Sequence, residues 1–148
     1  MNRTSHVLVV EDNDDDFETV LEAVQHAEIF HPIRRATSGG ECLRLLHESV
    51  DSRSPLPAFV LLDLNMPGDD GRDVLRQVKK DDKLRAIPMV VLSTSSNMRD
   101  VDFCYANHVN AYHTKPDNHE THLKILQQIF SYWLGAALLP TEPMPHRP

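Results

Sequence analysis

The sequence lacks the features that mark exported, membrane-spanning and nucleic-acid-binding proteins. No basic start precedes an apolar run, and no apolar stretch is long enough to cross a bilayer, so we expect a cytoplasmic protein with no membrane partner. The two cysteines, Cys42 and Cys104, have no CxxC spacing, which argues against a disulfide framework or a zinc site. The formal net charge is -7, without a Lys/Arg cluster, and therefore argues against direct nucleic-acid binding.

The length and composition predict one globular domain. A chain of 148 residues with 41% hydrophobic content can bury one sizeable core but leaves no room for a second domain. Proline is concentrated at the end of the chain, where it cannot extend a helix and has little to bury. We therefore expect a domain over residues 6–134 and a flexible, proline-rich tail over residues 135–148.

Short apolar runs alternate with amphipathic segments along the chain. The runs predict buried strands at His6–Val10, Ala58–Leu62, Ile87–Leu92 and, less extended, Val109–His113, and a weaker strand is predicted at Pro32–Ala36. Apolar residues at helical spacing predict helices around Asp14–Ala27, Glu41–Val50, Val74–Val78, Val101–Tyr105 and His119–Leu134. Five β-α repeats predict an α/β fold in which helices cover both faces of a parallel sheet.

Reactive side chains follow the predicted strands, at the sheet edge where α/β proteins bind ligands. Glu11 and Asp12 end the first strand, and Asp63 ends the third. Three carboxylates brought together would repel one another unless a cation lay among them. Mg²⁺ suits such hard oxygen ligands, with Asp12 and Asp63 binding directly and Glu11 through water.

The fourth and fifth strands end in Ser93 and Lys115. A small hydroxyl and an ammonium group beside the carboxylates would form a pocket for phosphoryl oxygens. Such a pocket favours in-line attack by Asp63 on a phosphorylated donor, with the charge of the equatorial oxygens shared by Mg²⁺, Lys115 and Ser93. The predicted product is an aspartyl phosphate.

The segments that carry these residues are VLVVEDN, VLLDLNMPGDDG, VVLSTS and AYHTKP. In this order and at these separations they resemble the receiver domain of two-component response regulators. The resemblance implies a flavodoxin-like (βα)5 fold with strand order 2-1-3-4-5. It also implies dependence on Mg²⁺ and phosphorylation by a sensor histidine kinase or a phosphotransfer protein.

The resemblance further assigns roles by position. It makes Asp63 the phosphoacceptor, Glu11 and Asp12 the acidic pair, Lys115 the conserved lysine and Ser93 the switch hydroxyl. It makes Asn65 a metal ligand through its backbone carbonyl and Tyr112 the switch aromatic residue. Asn65 and Ser95 occupy the positions that tune dephosphorylation, and the Lys115–Pro116 peptide bond is expected to be cis.

Two longer stretches, DLNMPGDDGRDVL and IPMVVLSTSSN, resemble the single-domain regulators encoded beside bacterial phytochromes. A bacteriophytochrome is therefore one expected kinase, although another sensor kinase fits equally well. Without an output domain, the output must be altered protein binding. Apolar residues at the end of the chain, Trp133, Leu134, Leu138 and Leu139, predict a homodimer through this C-terminal face, the alternative being that they pack on their own chain.

Two other functions fit parts of the pattern. A phosphate shuttle between histidine proteins would use the same site. A haloacid-dehalogenase-like phosphatase would also use a strand-end Asp, but Asn65 stands where its second Asp belongs, so no general acid or base is available. The neighbouring acids Asp14, Asp15 and Asp16 are interpreted as first-turn residues of a helix capped by Asn13.

Overall fold

A five-stranded parallel sheet forms the centre of the molecule. The computed structural model describes residues 5–66 and 69–140. The sheet consists of β1 (Val7–Val10), β2 (Ile33–Ala36), β3 (Val60–Leu62), β4 (Met89–Ser93) and β5 (Ala111–Thr114). Its order is β2-β1-β3-β4-β5 with every pair parallel, which confirms the predicted fold and strand order.

Five α-helices, one after each strand, lie on both faces of the sheet. They are α1 (Asp14–His26), α2 (Gly39–Ser52), α3 (Gly71–Lys80), α4 (Met98–Ala106) and α5 (His119–Ser131). The predicted Val74–Val78 and Val101–Tyr105 segments are the interiors of the longer helices α3 and α4. Two short antiparallel strands, Asn65–Met66 and Asp69–Asp70, lie between β3 and α3.

Alternation along the strands divides the core into two layers. Val7, Val9 and Leu61 point to the face covered by α1 and α5, where Phe59 and Phe130 are fully buried. The alternate residues of the strands point to the face covered by α2, α3 and α4; these include Leu8, Val10, Val60, Leu62, Met89 and Val91. Burial on both faces explains why the central strands β1 and β3 are continuously apolar, whereas the edge strands β2 and β5 contain arginine and histidine side chains.

Side-chain caps determine where several helices begin. Asn13 accepts a hydrogen bond from the Asp16 N–H at the start of α1, as the sequence predicted. Ser38, Asn97 and Asn118 cap α2, α4 and α5 in the same way, each satisfying a backbone donor that the first turn leaves without a helical partner. These four helices start within a few residues of the end of a strand.

The last helix ends differently from the prediction. Helix α5 ends at Ser131 and passes into a π-helical turn over Tyr132–Ala136, in which the Ala137 N–H donates to the Tyr132 carbonyl at 2.8 Å. The first residues of the predicted tail thus belong to a helical turn, and residues 141–148 of that tail lie outside the described residues. No described helix is both long and apolar enough to span a bilayer.

Candidate functional site at the carboxyl edge of the sheet

Strand register brings the predicted residues to one edge of the sheet. Val10 pairs with Leu62 and Leu62 with Val91, so the residues that follow emerge side by side. The Asp63 N–H donates to the Val10 carbonyl at 3.1 Å, which fixes the backbone of Asp63 beside the end of β1. The neighbouring strands β4 and β5 bring Ser93 and Lys115 to the same edge.

Three carboxylates cluster at this edge. Oxygens of Glu11, Asp12 and Asp63 lie within 4.8 Å of one another. Glu11 and Asp63 are 6% and 7% exposed, whereas Asp12 is open to solvent. Burial raises the pKa of Glu11 to about 7, and the charge of Asp63 acts in the same direction against the lowering effect of Lys115. An all-oxygen donor set under this mutual repulsion fits a hard divalent cation.

The ammonium group of Lys115 lies among the carboxylates. Its Nζ donates to Glu11 Oε1 at 3.0 Å and Asp16 Oδ2 at 2.8 Å, and lies 3.6 Å from Asp63 Oδ2. Burial alone lowers the pKa of Lys115, but the hydrogen bond to Asp16 and the charges of Glu11 and Asp63 raise it above its usual range. Lys115 is therefore protonated, and one positive charge faces an excess of negative charge.

The Lys115–Pro116 bond corrects one prediction. No peptide bond in the described ranges is cis, so the expected cis bond at this position is wrong. The trans isomer of an X–Pro bond is intrinsically more stable by about 0.5–1 kcal/mol. Lys115 reaches Glu11 and Asp16 with the bond in that form, so these contacts do not require the cis isomer.

The hydroxyl of Ser93 is fully buried next to β3 and is held by two donors. Its Oγ accepts from Asn65 Nδ2 at 2.9 Å and from the Ser95 N–H at 3.1 Å. Asn65 also donates through its backbone N–H to Asp63 Oδ1 at 3.1 Å, and its Nδ2 lies 3.3 Å from Thr94 Oγ1. Asn65 thus connects the carboxylate of Asp63 with the Ser93 hydroxyl.

Tyr112 is half-buried and packs against the core layer below α4. Its hydroxyl donates to the Ser95 carbonyl at 2.7 Å, and its backbone N–H donates to the Tyr105 hydroxyl at 3.3 Å. The aromatic ring singled out in the sequence is therefore tied to the loop that follows Ser93.

Sequence reasoning missed three charged residues around this edge. Asp16 was interpreted only as a first-turn acid, but it also binds Lys115. Its place in the first turn of α1, a few residues after the acidic pair that ends β1, was a signal that could have identified it. Asp100 and Arg72 form an ion pair, and the Ser95 hydroxyl donates to Asp100. No sequence pattern identified this ion pair.

Comparisons with known proteins agree with this geometry. The family model described as "Response regulator receiver domain" matches residues 7–127. Response regulator Rcp1 of Synechocystis sp. is 39% identical over 135 residues, which cover 90% of this chain and 92% of Rcp1.

Two solved structures extend the similarity to three dimensions. The phosphorylated cyanobacterial phytochrome response regulator RcpA is 36% identical, with a TM-score of 0.87 over 94% of this chain and 100% of that chain. The Mn²⁺-bound form of Rcp1 is 38% identical, with a TM-score of 0.86 over 93% of this chain and 99% of that chain.

Proposed function

This chain belongs to the response regulator receiver domain family and is a phosphorelay signalling switch, and we propose that Asp63 is its phosphoacceptor. The observation that carries the assignment is the position of Asp63, whose carboxylate lies within 4.8 Å of the other two acids and 3.6 Å from the Lys115 ammonium. No other described carboxylate combines a strand end, an acidic pair and a lysine in this way.

We propose Mg²⁺ as the resident metal. Asp12 and Asp63 would bind it directly, Glu11 through water and Asn65 through its backbone carbonyl. The oxygen-only donor set and the raised pKa of Glu11 support a divalent cation at this position. The Mn²⁺-bound structure of Rcp1 supports the same class of ion. When bound, such an ion neutralises charge on phosphoryl oxygens.

The transfer step uses residues of this chain for attack and charge neutralisation. A carboxylate oxygen of Asp63 attacks the phosphorus of a phosphohistidine, the new P–O bond forms, and the P–N bond breaks with its electron pair remaining on the imidazole. Lys115 is protonated and already beside Asp63, so it can pair with a phosphoryl oxygen without a change of charge state. Ser93 would donate its hydroxyl to another phosphoryl oxygen.

The same contacts suggest how phosphorylation reaches the surface. A phosphoryl group would attract the Ser93 hydroxyl, and the Ser95 N–H is bonded to that hydroxyl. Tyr112 is bonded to the Ser95 carbonyl, so a displacement of this loop changes the position of the ring and the surface around α4 and β5. Tyr112→Ala should therefore abolish the dependence of partner binding on phosphorylation, and intact dependence would contradict the coupling.

Asn65 and Ser95 are proposed to tune the lifetime of the phosphoryl group. Both flank Asp63 and Ser93 and bond to the Ser93 hydroxyl, so they control the space next to the phosphorus. Substitution of either residue should change the dephosphorylation rate while the unphosphorylated protein stays folded. Decay of the labelled protein after donor removal measures this rate.

The assignment of Asp63 can be tested directly. Wild-type protein and Asp63→Asn are incubated with Mg²⁺ and acetyl phosphate, and each is examined by intact-mass spectrometry. One labile phosphoryl adduct on the wild type alone is expected, with none when Mg²⁺ is removed by a chelator. An adduct of equal yield on Asp63→Asn would refute the assignment.

The physiological donor is proposed to be a sensor histidine kinase, with a bacteriophytochrome as the first candidate. Its support is the similarity to RcpA and to a bacteriophytochrome response regulator structure that is 34% identical. Radiolabelled kinase should lose its label to the wild type and not to Asp63→Asn. If a second histidine protein then drains the label, the chain acts as a phosphate shuttle.

We propose a homodimer through the C-terminal face. Trp133 packs on its own chain against Phe59 at 6.3 Å between ring centroids, but Leu138 and Tyr132 remain 101% and 54% exposed. Phe30, 85% exposed, borders the same face. Light scattering should give a dimeric mass that Leu138→Asp lowers towards the monomer, whereas a monomeric wild type at high concentration would exclude this surface.

A further inference from the structure

Ser95 connects the phosphoryl site to helix α4. Its backbone N–H donates to Ser93 Oγ at 3.1 Å, and its own Oγ donates to Asp100 Oδ2 at 2.6 Å. Its carbonyl accepts from the Tyr112 hydroxyl at 2.7 Å. Three hydrogen bonds therefore fix the position of Ser95, and the strongest of them is the charge-assisted bond to Asp100.

Asp100 is itself held by helix α3. Arg72 Nη2 and Nε lie 2.8 Å and 3.2 Å from Asp100 Oδ1, so one carboxylate oxygen binds Arg72 while the other binds Ser95. The two side chains are 30% and 20% exposed. The hydrogen bond from Ser95 and the charge of Arg72 lower the pKa of Asp100, so the acceptor for Ser95 stays ionised.

These contacts determine the direction in which the Ser93 hydroxyl can donate its hydrogen. A serine hydroxyl has one donor hydrogen and two acceptor lone pairs. Both lone pairs of Ser93 receive donors, from Asn65 Nδ2 and from the Ser95 N–H. Within residues 5–66 and 69–140 the structure assigns no acceptor to the hydroxyl hydrogen, which is therefore available to a phosphoryl oxygen on Asp63.

We propose that Asp100 and Arg72 are positioning residues for phosphoryl transfer: Arg72 holds Asp100, Asp100 holds Ser95, and the Ser95 N–H orients the Ser93 hydroxyl as a donor to the phosphoryl group. The proposal rests on the proposed role of Asp63 as phosphoacceptor. Neither Asp100 nor Arg72 touches the reacting atoms, and the hydrogen bonds of Ser95 connect Asp100 to the Ser93 hydroxyl.

The rate of phosphorylation tests this series of contacts. Asp100→Ala should slow the adduct formation with acetyl phosphate and Mg²⁺ by roughly 10-fold, a fraction of the 10²–10³-fold lost when an oriented donor is removed outright. Arg72→Gln leaves the carboxylate in place and should cost roughly 3-fold, since neutral hydrogen bonds are about half as strong as charged ones. The Mg²⁺ affinity should be unchanged in both variants, because neither residue belongs to the acidic cluster.

A double-mutant cycle separates positioning from a general loss of structure. If Asp100 acts through the Ser95 hydroxyl, adding Asp100→Ala to Ser95→Ala should slow the reaction no further. Asp73→Ala is the matched control, because it removes the partner of Arg76 on α3 without touching the loop, and it should react at the wild-type rate. If Asp100→Ala fails to fold, the nearly isosteric Asp100→Asn takes its place in the cycle.

The outcomes distinguish this proposal from the assignment of Asp63. A wild type that forms no adduct would overturn the proposed function itself. If the wild type forms the adduct, two results would overturn the positioning role alone. Either Asp100→Ala reacts as fast as the wild type, or the rate losses of Asp100→Ala and Ser95→Ala multiply in the double variant. Non-additive losses at unchanged Mg²⁺ affinity would support it.

Discussion

Replacing Gly71 by alanine tests how closely helix α3 approaches the acceptor residue. A Cβ on Gly71 would lie 2.8 Å from the carbonyl oxygen of Asp63 and 2.8 Å from Cα of Leu64, and neither backbone atom can rotate away. Overpacking of this kind costs about 1–3 kcal/mol, and the better helix propensity of alanine returns up to about 1 kcal/mol. We expect a net loss of about 1–2 kcal/mol in the free energy of unfolding.

Urea denaturation followed by circular dichroism measures this loss. With a slope of about 2 kcal/mol per molar urea, the midpoint should fall by about 0.5–1 M. Because one clashing atom belongs to Asp63 itself, adduct formation with acetyl phosphate should also slow by roughly 3- to 10-fold. A loss of stability with an unchanged phosphorylation rate would mean that helix α3 moves to relieve the clash and that Asp63 keeps its position.

Gly40→Ala is the matched control for this experiment. Gly40 also lies in the first turn of a helix, but a Cβ there would meet no atom within 4 Å. The variant should be neutral or more stable by up to about 1 kcal/mol, with the wild-type rate. If Gly71→Ala unfolds at the same urea concentration as Gly40→Ala, the reasoning from close approach is refuted.

Three further predictions follow from the charges. Lys115→Met leaves the buried carboxylates of Glu11 and Asp63 without their cationic partner and should lower the free energy of unfolding by about 3 kcal/mol. Thermal unfolding should show that Mg²⁺ restores part of the lost stability, and an equal loss with and without Mg²⁺ would contradict the argument. Asp16→Asn removes one charged partner of Lys115 and should cost about 1 kcal/mol by urea denaturation, so an unchanged midpoint would show that this contact contributes nothing. Burial lowers the pKa of His6 to about 4, so the unfolded state binds more protons than the folded state between pH 4 and 6.5. The free energy of unfolding should therefore fall by about 2 kcal/mol from pH 7 to pH 5. His6→Gln should reduce this pH dependence, and an unchanged pH dependence in the variant would assign the effect to other groups.

The sheet and its reactive edge were predictable because one short pattern determines both. The three central strands are continuous buried runs, and a strand buried on both faces ends where the first charged side chain appears. Glu11 and Asp63 occupy such positions, and Lys115 follows the edge strand β5, so their placement at one edge follows from the parallel order of the strands. The segment 141–148 of the predicted tail lies outside the described residues, so its flexibility stays a prediction.

The contacts that the sequence did not reveal join a helix to a distant part of the chain. Lys115 and Asp16 are 99 positions apart, and Arg72 and Asp100 are 28 apart, so neither pair leaves a periodic signal. Periodicity identifies the buried face of a helix but not which charges at its first turn meet another element. The strand-end residues therefore identify the reaction, while the residues that orient them can be found only once the helices are packed. Asp100 illustrates the difference: in the sequence it is an ordinary first-turn acid of α4, and in the folded protein its two oxygens connect α3 to the loop that holds Ser93.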